Sequence, residues 1–137
     1  MATGAQGMPG TAPDGSDAER CGRVRAALRA AGYNEEGITR TLGVDHLSQL
    51  RERRLPALLR RTRGGSPLET LARAFVLAQP VEEAAMARAA GPAGLEDWVA
   101  LGLIARTDGG VRPEVQLRCY QGWVLAYDFA RMGAGGL

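Results

Sequence analysis

The order of structural signals in residues 63–129 constrains the fold more than any other feature of the sequence. A helix start comes first: Ser66 is an N-cap residue, Pro67 fits the first helical position, and Glu69 completes a capping box with Ser66. Apolar residues then recur at the i, i+3, i+4, i+7 spacing of a helix that faces a core. We therefore expect a core-facing helix that begins at Pro67 and is stopped by Pro80.

Two more short helices are predicted after this one. Pro80 can open the first of them, in which Val81 and two alanines face inward and acidic residues occupy the first turn. The Gly91-Pro92 pair predicts a turn. The next helix is expected over residues 95–101, and Gly102 ends it.

Strand patterns complete this part of the chain. Residues 103–107 form one predicted strand, and Asp108-Gly109-Gly110 supplies the turn after it. Apolar and polar residues then alternate over 111–119, as in a half-buried strand, where Pro113 favours an edge position. A third strand is expected over 123–127. Three short helices followed by a β-hairpin predict a winged-helix-like module.

The segment before this module is predicted to be helical. Residues 1–15 lack periodicity and suggest a disordered leader. A capping box at Ser16, followed by apolar residues at helical spacing, predicts a helix over 17–31. Asn34 can cap a second short helix, and a further turn or two should follow around Leu47.

The fold class expected from these elements is α+β and mainly helical. It combines a winged-helix-like helical domain with a C-terminal β-hairpin or three short antiparallel strands. One domain is expected over 16–129, with a helical subdomain (16–62) and the winged-helix-like module (63–129). Residues 130–137 are expected to be a linker or loose tail.

The composition sets bounds on function. A chain of 137 residues is the size of one domain. All 17 basic residues are arginine, which either reflects a GC-rich genome or serves phosphate and carboxylate recognition. The formal net charge is only +2, so global electrostatics do not demand a nucleic-acid partner.

Sequence signals for metals, export and membranes are weak. Cys21 and Cys119 lie far apart without a C-x-x-C pair, so neither a disulfide framework nor a zinc site is expected. No basic, apolar leader predicts a signal peptide, and no apolar run approaches the roughly 20 residues of a membrane span. A cytoplasmic protein without a membrane partner is the expectation.

Residues 51–63, RERRLPALLRRTR, form a cationic strip with one acid. Pro56 should interrupt any continuous helix through it. One interpretation is a phosphate-contacting strip; the other is a solvated connector whose arginines pair with acids such as Glu35 and Glu36. No aromatic residues alternate with the arginines, which argues against a single-strand stacking site. The candidate contact residues are Arg51, Arg53, Arg54, Arg60, Arg61 and Arg63.

A search for catalytic patterns is mostly negative. The single histidine, His46, is expected to face solvent near a helix cap. No zincin, Walker or nucleophile-elbow motif is present. Asp128 follows a strand, but one acid is weak support for a site. No catalytic, cofactor-binding or metal residue is predicted.

The third helix of the module argues against duplex reading. A winged helix that binds DNA would present its readout groups there, and Trp98 lies on this helix. Its polar residues, however, include Glu96 and Asp97 and no arginine, asparagine or glutamine. Base edges in the major groove are read by such groups, and acids repel phosphates. Sequence-specific duplex binding is therefore disfavoured.

Two stretches carry a family resemblance: GGSPLETLARAFVLAQPV (64–81) and LGLIARTDGGVRPEVQL (101–117). They resemble the N-terminal domain of bacterial class I S-adenosylmethionine-dependent methyltransferases related to the release-factor glutamine methyltransferases. The resemblance covers about residues 23–137. These stretches consist of core and turn residues, so they do not indicate which substrate is recognised.

The resemblance implies a non-catalytic accessory domain. In that family a glycine-containing linker like 132–137 leads to a catalytic domain with an acidic-Gly-x-Gly loop for the cofactor and an Asn-Pro-Pro-aromatic motif. Neither motif occurs in these 137 residues. S-adenosylmethionine would therefore be bound by that catalytic domain, supplied in cis or in trans, and not by this chain. The accessory domain would help to recognise a protein or nucleic-acid substrate, or position the catalytic domain.

Two other functions stay open at this point. One is a stand-alone winged-helix nucleic-acid-binding protein that uses the Arg51–Arg63 strip. The other is a protein-interaction module that uses the exposed apolar side of the hairpin, for example as a dimer.

Overall fold

The computed structural model describes residues 17–91, 94–120 and 122–128. The predicted leader, the capping box at Ser16 and the predicted tail 130–137 lie outside these residues, as does Pro92 of the predicted turn. The fold is α+β and mainly helical, with two small antiparallel sheets. The predicted fold class is confirmed.

The front of the chain forms a layer of short helices. The elements are α1 (Asp17–Ala31), α2 (Glu35–Leu42), a 3₁₀ helix (Leu47–Glu52) and α3 (Leu55–Arg61). The predicted α1 is confirmed at both ends. The break before α3 agrees with the prediction for Pro56, which lies in the first turn of α3 instead of interrupting a longer helix.

Caps determine where α2 begins and ends. The side chain of Asn34 accepts a 2.7 Å hydrogen bond from the backbone N–H of Gly37, as predicted for an N-cap. Gly43 ends the helix with φ of 75°, a left-handed conformation that costs glycine little.

The start of α4 (Pro67–Phe75) was also predicted correctly. Ser66 and Glu69 form both capping-box hydrogen bonds: Glu69 N–H donates to Ser66 Oγ at 3.2 Å, and Ser66 N–H donates to Glu69 Oε1 at 2.9 Å. The helix ends at Phe75, well before Pro80. The backbone leaves the helix through Ala78, which has a positive φ of 60°.

The prediction that Val81 lies in a helix is wrong. Val81–Glu82 form a short strand, β1, that pairs with Val111 and Gly110, and α5 (Glu83–Ala90) begins directly after it. Two residues carry too little periodicity to mark a strand in the sequence. Helix α6 (Gly94–Ala100) follows.

The first sheet has the strand order β1-β3-β2, with β2 over Ile104–Thr107 and β3 over Gly110–Pro113. From α4 onward the chain runs helix, strand, helix, helix, strand, strand. This is the winged-helix order, and β2–β3 is the wing. Strand β1, absent from the sequence prediction, completes it.

Pro113 was predicted to lie at the edge of a sheet, and this prediction fits the residue itself but not its strand. Strand β3 lies between β1 and β2, so it is not an edge strand. Its pairing with β1 stops at Val111, however, and Pro113 pairs only with Ile104 of β2. The missing N–H of Pro113 therefore removes no bond to β1.

The alternating run 111–119 is split between two sheets. Glu114 N–H donates to Leu103 O at 2.8 Å and ends the first ladder. The chain then enters β4 (Val115–Tyr120), which pairs with β5 (Trp123–Asp128) in a separate two-stranded sheet. Alternation alone cannot reveal this change of partner, because the side-chain period is the same in both sheets.

One buried cluster joins the helical layer to the winged-helix-like module. It extends from Val24 on α1 to Leu117 on β4. At its centre Trp98 stacks on Phe75 with ring centroids 5.5 Å apart, and neither side chain is exposed. Among the described residues, no helix has the length and apolar character needed to cross a membrane.

Candidate recognition groove

A groove of about 830 Å³ lies between the helical layer and the β4–β5 hairpin. We call it the hairpin groove. Its helical wall comes from the 3₁₀ helix and α3, and its other wall comes from β4 and β5. The lining residues are Ile38, Leu47, Ser48, Leu50, Arg51, Arg53, Leu55, Leu58, Val76, Leu77, Gln116, Leu117, Arg118, Cys119, Tyr120, Leu125 and Tyr127.

The lining is apolar with a cationic rim. Most of its side chains are aliphatic, and its charged groups are Arg51, Arg53 and Arg118. No aspartate or glutamate is among the described lining residues. The groove therefore combines an apolar surface with positive charge on both walls.

The register of the hairpin explains the second wall. Gln116 pairs with Tyr127, Arg118 with Leu125, and Tyr120 with Trp123. Side chains of a strand alternate between faces, so these six residues share one face of the two-stranded sheet. The opposite face carries Cys119 and Leu117, which is buried in the core, and both residues also contribute to the groove lining.

This shared face exposes large apolar groups. Trp123 is 68% exposed and Tyr120 is 61% exposed. Opposite the hairpin, Leu55 at the start of α3 is 40% exposed. Clustered exposed apolar residues on a small protein mark interaction surfaces.

Arg118 and Tyr127 interact on this face. The guanidinium carbon of Arg118 lies 5.4 Å from the ring centroid of Tyr127, within range of a cation–π contact. This contact places the guanidinium group of Arg118 over the ring of Tyr127. Arg118 thus has a defined position on the hairpin wall.

The structure separates the six arginines predicted as contact residues. Arg51 and Arg53 line the hairpin groove, and Arg54 is exposed at the start of α3. The predicted pairing with Glu35 or Glu36 is absent from the ion pairs between described residues.

Arg61 has a structural role instead. Its Nε donates to Thr41 O at 3.2 Å and its Nη2 donates to Arg40 O at 3.3 Å. These carbonyls belong to the last turn of α2, where backbone acceptors lack helical partners. Arg60 is exposed, and Arg63 lies at a different cavity.

That second cavity has a volume of about 700 Å³ and lies beside the wing. Arg63, Arg73 and Arg88 line it, together with the acids Glu82 and Asp108. Arg73 is already bound to the protein, since its Nη2 donates to Leu59 O at 2.8 Å and its Nε to a threonine hydroxyl at 3.0 Å. Mixed charge and a satisfied arginine make it a weaker candidate site than the hairpin groove.

Two titratable groups lie at the groove, Cys119 in its lining and Tyr33 behind it. Tyr33 is buried, and its hydroxyl donates to Leu117 O at 2.7 Å. Burial, and then the nearby Cys119 thiol, raise the pKa of Tyr33 well above its ordinary value. Burial and the charge of Glu35 raise the pKa of Cys119 to about 11, so its thiol is neutral at physiological pH.

The third helix of the module, α6, does not present readout groups. Trp98 is completely buried in the core. Asp97 is also buried and binds Arg23 on α1 at 2.6 Å. Glu96 binds Arg106 of β2 at 2.5 Å. Trp98 and Asp97 are therefore buried, whereas Glu96 pairs with Arg106 at the surface. Of the two acids expected to repel phosphates from this helix, only Glu96 is exposed.

The residues described in the structure contain no group of three or more His, Cys, Asp or Glu side chains placed to hold a metal ion. His46 is exposed at the start of the 3₁₀ helix, as predicted, and its backbone N–H donates to Gln49 Oε1 at 3.2 Å. The side chain of Asp128 lies outside the described residues.

A family model, described as a domain of unknown function (DUF7059), matches residues 30–114. This span is more than half of the chain. The chain belongs to this family. No curated protein matches the chain, and no solved structure matches it.

The DUF7059 match covers the helical wall of the hairpin groove and not its hairpin wall. It runs from the end of α1 to the end of the β1-β3-β2 sheet and stops at Glu114. The helical wall with Arg51 and Arg53 lies inside the matched span, and the β4–β5 wall follows it. The sequence left open an interaction through the exposed apolar side of the hairpin, but it marked no contact residue on β4 or β5. The alternation that placed Arg118 on a solvent face was the available signal.

Proposed function

We propose that the chain is a non-catalytic recognition module that serves an S-adenosylmethionine-dependent methyltransferase. The resemblance of residues 64–81 and 101–117 supports the methyltransferase context. The hairpin groove supports recognition, because it offers an apolar surface and three cations without the acid–base or nucleophile pairs of an active site. The catalytic domain is the proposed partner, and a cytoplasmic location is part of the proposal.

The cofactor itself does not fit this chain. Dinucleotide-type sites use a carboxylate to bind ribose hydroxyls and a glycine-rich loop at a helix start. The groove lining contains no carboxylate among its described residues, and its arginines would repel a sulfonium cation. S-adenosylmethionine therefore belongs to the partner domain in this proposal.

The direct test is the coding sequence around this gene. We expect a reading frame, either continuous with codon 137 or adjacent to it, that contains an acidic-Gly-x-Gly loop and an Asn-Pro-Pro-aromatic motif. The product of that frame should co-purify with this chain when the two are expressed together. A genome that encodes no such frame nearby, together with no co-purification, would overturn the proposal.

Nucleic-acid binding is the second candidate function, and one observation favours it. No hydrogen bond or ion pair with other described residues is made by the side chains of Arg51, Arg53, Arg54, Arg60 and Arg63. Free arginines on one segment are the electrostatic pattern of a phosphate contact. Replacing all five with alanine should abolish salt-dependent binding of RNA or duplex DNA. If the unmodified chain binds neither at low salt, this candidate fails.

A further inference from the structure

We propose that the hairpin groove binds an acidic amphipathic helix of a protein partner. The proposal rests on the recognition role proposed above but does not depend on methyl transfer. The charged groups among its described lining residues are all arginines, whereas the cavity beside the wing is lined by both arginines and acids. Three properties of the groove indicate which partner it binds. They are the apolar lining, the positions of the arginines, and the contacts and exposure of the aromatic rings.

The lining is suited to aliphatic side chains. Leu50 and Leu55 on the helical wall oppose Leu125 on the hairpin wall. Leu55 and Leu125 are 40% and 39% exposed, so both carry apolar surface that a partner can bury. A volume of about 830 Å³ is large enough for several side chains, since clefts that enclose a whole small ligand span roughly 300–1,000 Å³.

The charge has a matching geometry. Arg51 and Arg53 lie on the helical wall, and Arg118 lies on the hairpin wall. A helix that lays an apolar stripe along the groove has polar flanks on both sides of that stripe. Acidic residues on both flanks would meet arginines on both walls, and basic residues would be repelled from both. An extended strand, by contrast, turns every second side chain away from the groove.

The positions of the aromatic rings argue against a single-stranded nucleic acid as the partner bound in the groove. Base stacking needs open aromatic faces along a cationic track. Arg118 already lies over the Tyr127 ring, and Trp123, the most exposed ring of the hairpin, is not part of the lining. The remaining lining is mainly aliphatic. The observations therefore favour a peptide over a nucleic acid.

The test uses the full chain and fluorescein-labelled synthetic peptides in fluorescence anisotropy titrations. One peptide of about 18 residues, or five helical turns, carries leucines at i, i+3, i+4 and i+7 spacing and glutamates on both flanks. A second peptide replaces every glutamate with lysine. A single-stranded oligouridylate serves as the nucleic-acid probe. We expect the glutamate peptide to bind, more weakly as salt is added, and the lysine peptide not to bind.

Charge reversal makes the test specific. The triple variant Arg51→Glu, Arg53→Glu, Arg118→Glu should bind the glutamate peptide at least about tenfold more weakly, because exposed ion pairs contribute modestly but together. The same variant should gain binding of the lysine peptide. The control variant Arg25→Glu, Arg29→Glu, Arg88→Glu has the same net charge and changes exposed arginines outside the groove lining. It should keep the preference of the unmodified chain.

Two variants that shorten apolar side chains test the apolar lining of the groove. Leu55→Ala should weaken binding, whereas Trp123→Ala, which removes a more exposed group outside the lining, should not. Circular dichroism of each variant establishes that the fold is kept. A variant that loses its fold is replaced by the single substitution Arg53→Glu, which changes one exposed side chain and is expected to act in the same direction.

Four results would overturn the inference: no binding of the glutamate peptide, equal binding of the two peptides, equal loss in the groove and control triple variants, or tighter binding of oligouridylate through the same arginines. Self-association of the chain that buries the hairpin groove, detected by light scattering and abolished by Leu55→Ala, would assign the groove to a second copy and would also overturn it. None of these results bears on whether a methyltransferase domain is encoded nearby, so the two proposals fail separately.

Discussion

Arg23 binds Asp97 through two hydrogen bonds, from Nε to Oδ2 at 2.6 Å and from Nη2 to Oδ1 at 3.0 Å. The pair connects α1 to α6, and Arg20 adds a third contact to the same carboxylate at 3.4 Å. The helix that a duplex-reading winged helix would expose is thereby held against the front of the chain. An acid that looked like a phosphate-repelling surface group is a buried anchor.

The Asp97→Asn variant should melt at a lower temperature than the unmodified chain at neutral pH. The Arg23 hydrogen bonds, with the charges of Arg23 and Arg20, outweigh burial and lower the pKa of Asp97 below its ordinary value of 3.8. A depressed carboxyl pKa stabilises the fold fully above that ordinary value, and the contribution is lost as the pH falls through the folded-state pKa. Thermal melts monitored by circular dichroism at a series of pH values measure this.

The control for Asp97 is Glu96→Gln on the same helix. The Glu96 side chain is 82% exposed and pairs with Arg106 at the surface, so its loss should change the melting temperature little. If both variants melt alike, or if Asp97→Asn keeps the acid sensitivity of the unmodified chain, the anchor role is wrong.

The Tyr33→Phe variant tests the contact between the helical layer and the hairpin. It removes the buried hydrogen bond to Leu117 O, which should lower the free energy of unfolding by about 1–2 kcal/mol. Urea denaturation measures the change. The exposed Tyr120→Phe is the matched control and should have almost no effect; equal effects would contradict the prediction.

Alkaline pH should affect the same contact. The pKa of Tyr33 is raised well above 10.0, so its contribution to stability is fully present below pH 10.0 and is lost as the pH rises through the folded-state pKa. The Tyr33→Phe variant should therefore lose less stability than the unmodified chain on alkalinisation. Parallel urea titrations at neutral and alkaline pH measure the difference.

Local signals in the sequence predicted much of the fold. The caps at Asn34 and Ser66 and the span of α1 follow from hydrogen bonds within one or two turns, and all were predicted correctly. The elements that were missed depend on distant partners. Strand β1 exists because Val81 pairs with Val111, and no pattern over two residues can encode that pairing.

The candidate site was predictable only in part for the same reason. The sequence marked Arg51 and Arg53 as candidate contact residues, and the lack of aromatic residues between the arginines argued only against a single-strand stacking site. The fold supplies Arg118, Tyr120 and Tyr127 from a hairpin more than 60 residues further along the chain. The groove forms because two segments that are distant in the sequence pack close to each other. Such packing leaves no periodic pattern in the sequence of either segment.

The arginine strip separates into structural and free residues, which the Arg61→Ala and Arg60→Ala variants distinguish. Arg61→Ala removes two hydrogen bonds to carbonyls at the end of α2, so the free energy of unfolding should fall by about 0.5–1 kcal/mol. Arg60→Ala, on the same helix and exposed, should change it by less than about 0.5 kcal/mol. Equal effects in urea denaturation would show that Arg61 does not cap α2.

Ala78 has a positive φ of 60° between α4 and β1. This region costs a residue with a Cβ roughly 1–2 kcal/mol, while glycine adds unfolded-state entropy of about 0.5–1 kcal/mol. Ala78→Gly should therefore stabilise the chain by about 0.5 kcal/mol. The matched Ala87→Gly in the middle of α5, also exposed, should instead destabilise it by about 0.5–1 kcal/mol. Melting temperatures that move in the same direction for both variants would refute the prediction.

Cys119 should react slowly with alkylating reagents although it lines the groove. Burial and the Glu35 charge raise the pKa of its thiol from 9.0 to about 11, and thiolate is the reactive form. Each pKa unit is a factor of ten in thiolate, so at neutral pH the folded Cys21→Ser variant should react with iodoacetamide about 100-fold more slowly than in denaturant. The rate should climb as the pH approaches 11. Mass spectrometry of timed samples measures it, and a folded-state rate at neutral pH equal to the denatured rate would show that the thiol is neither buried nor shifted.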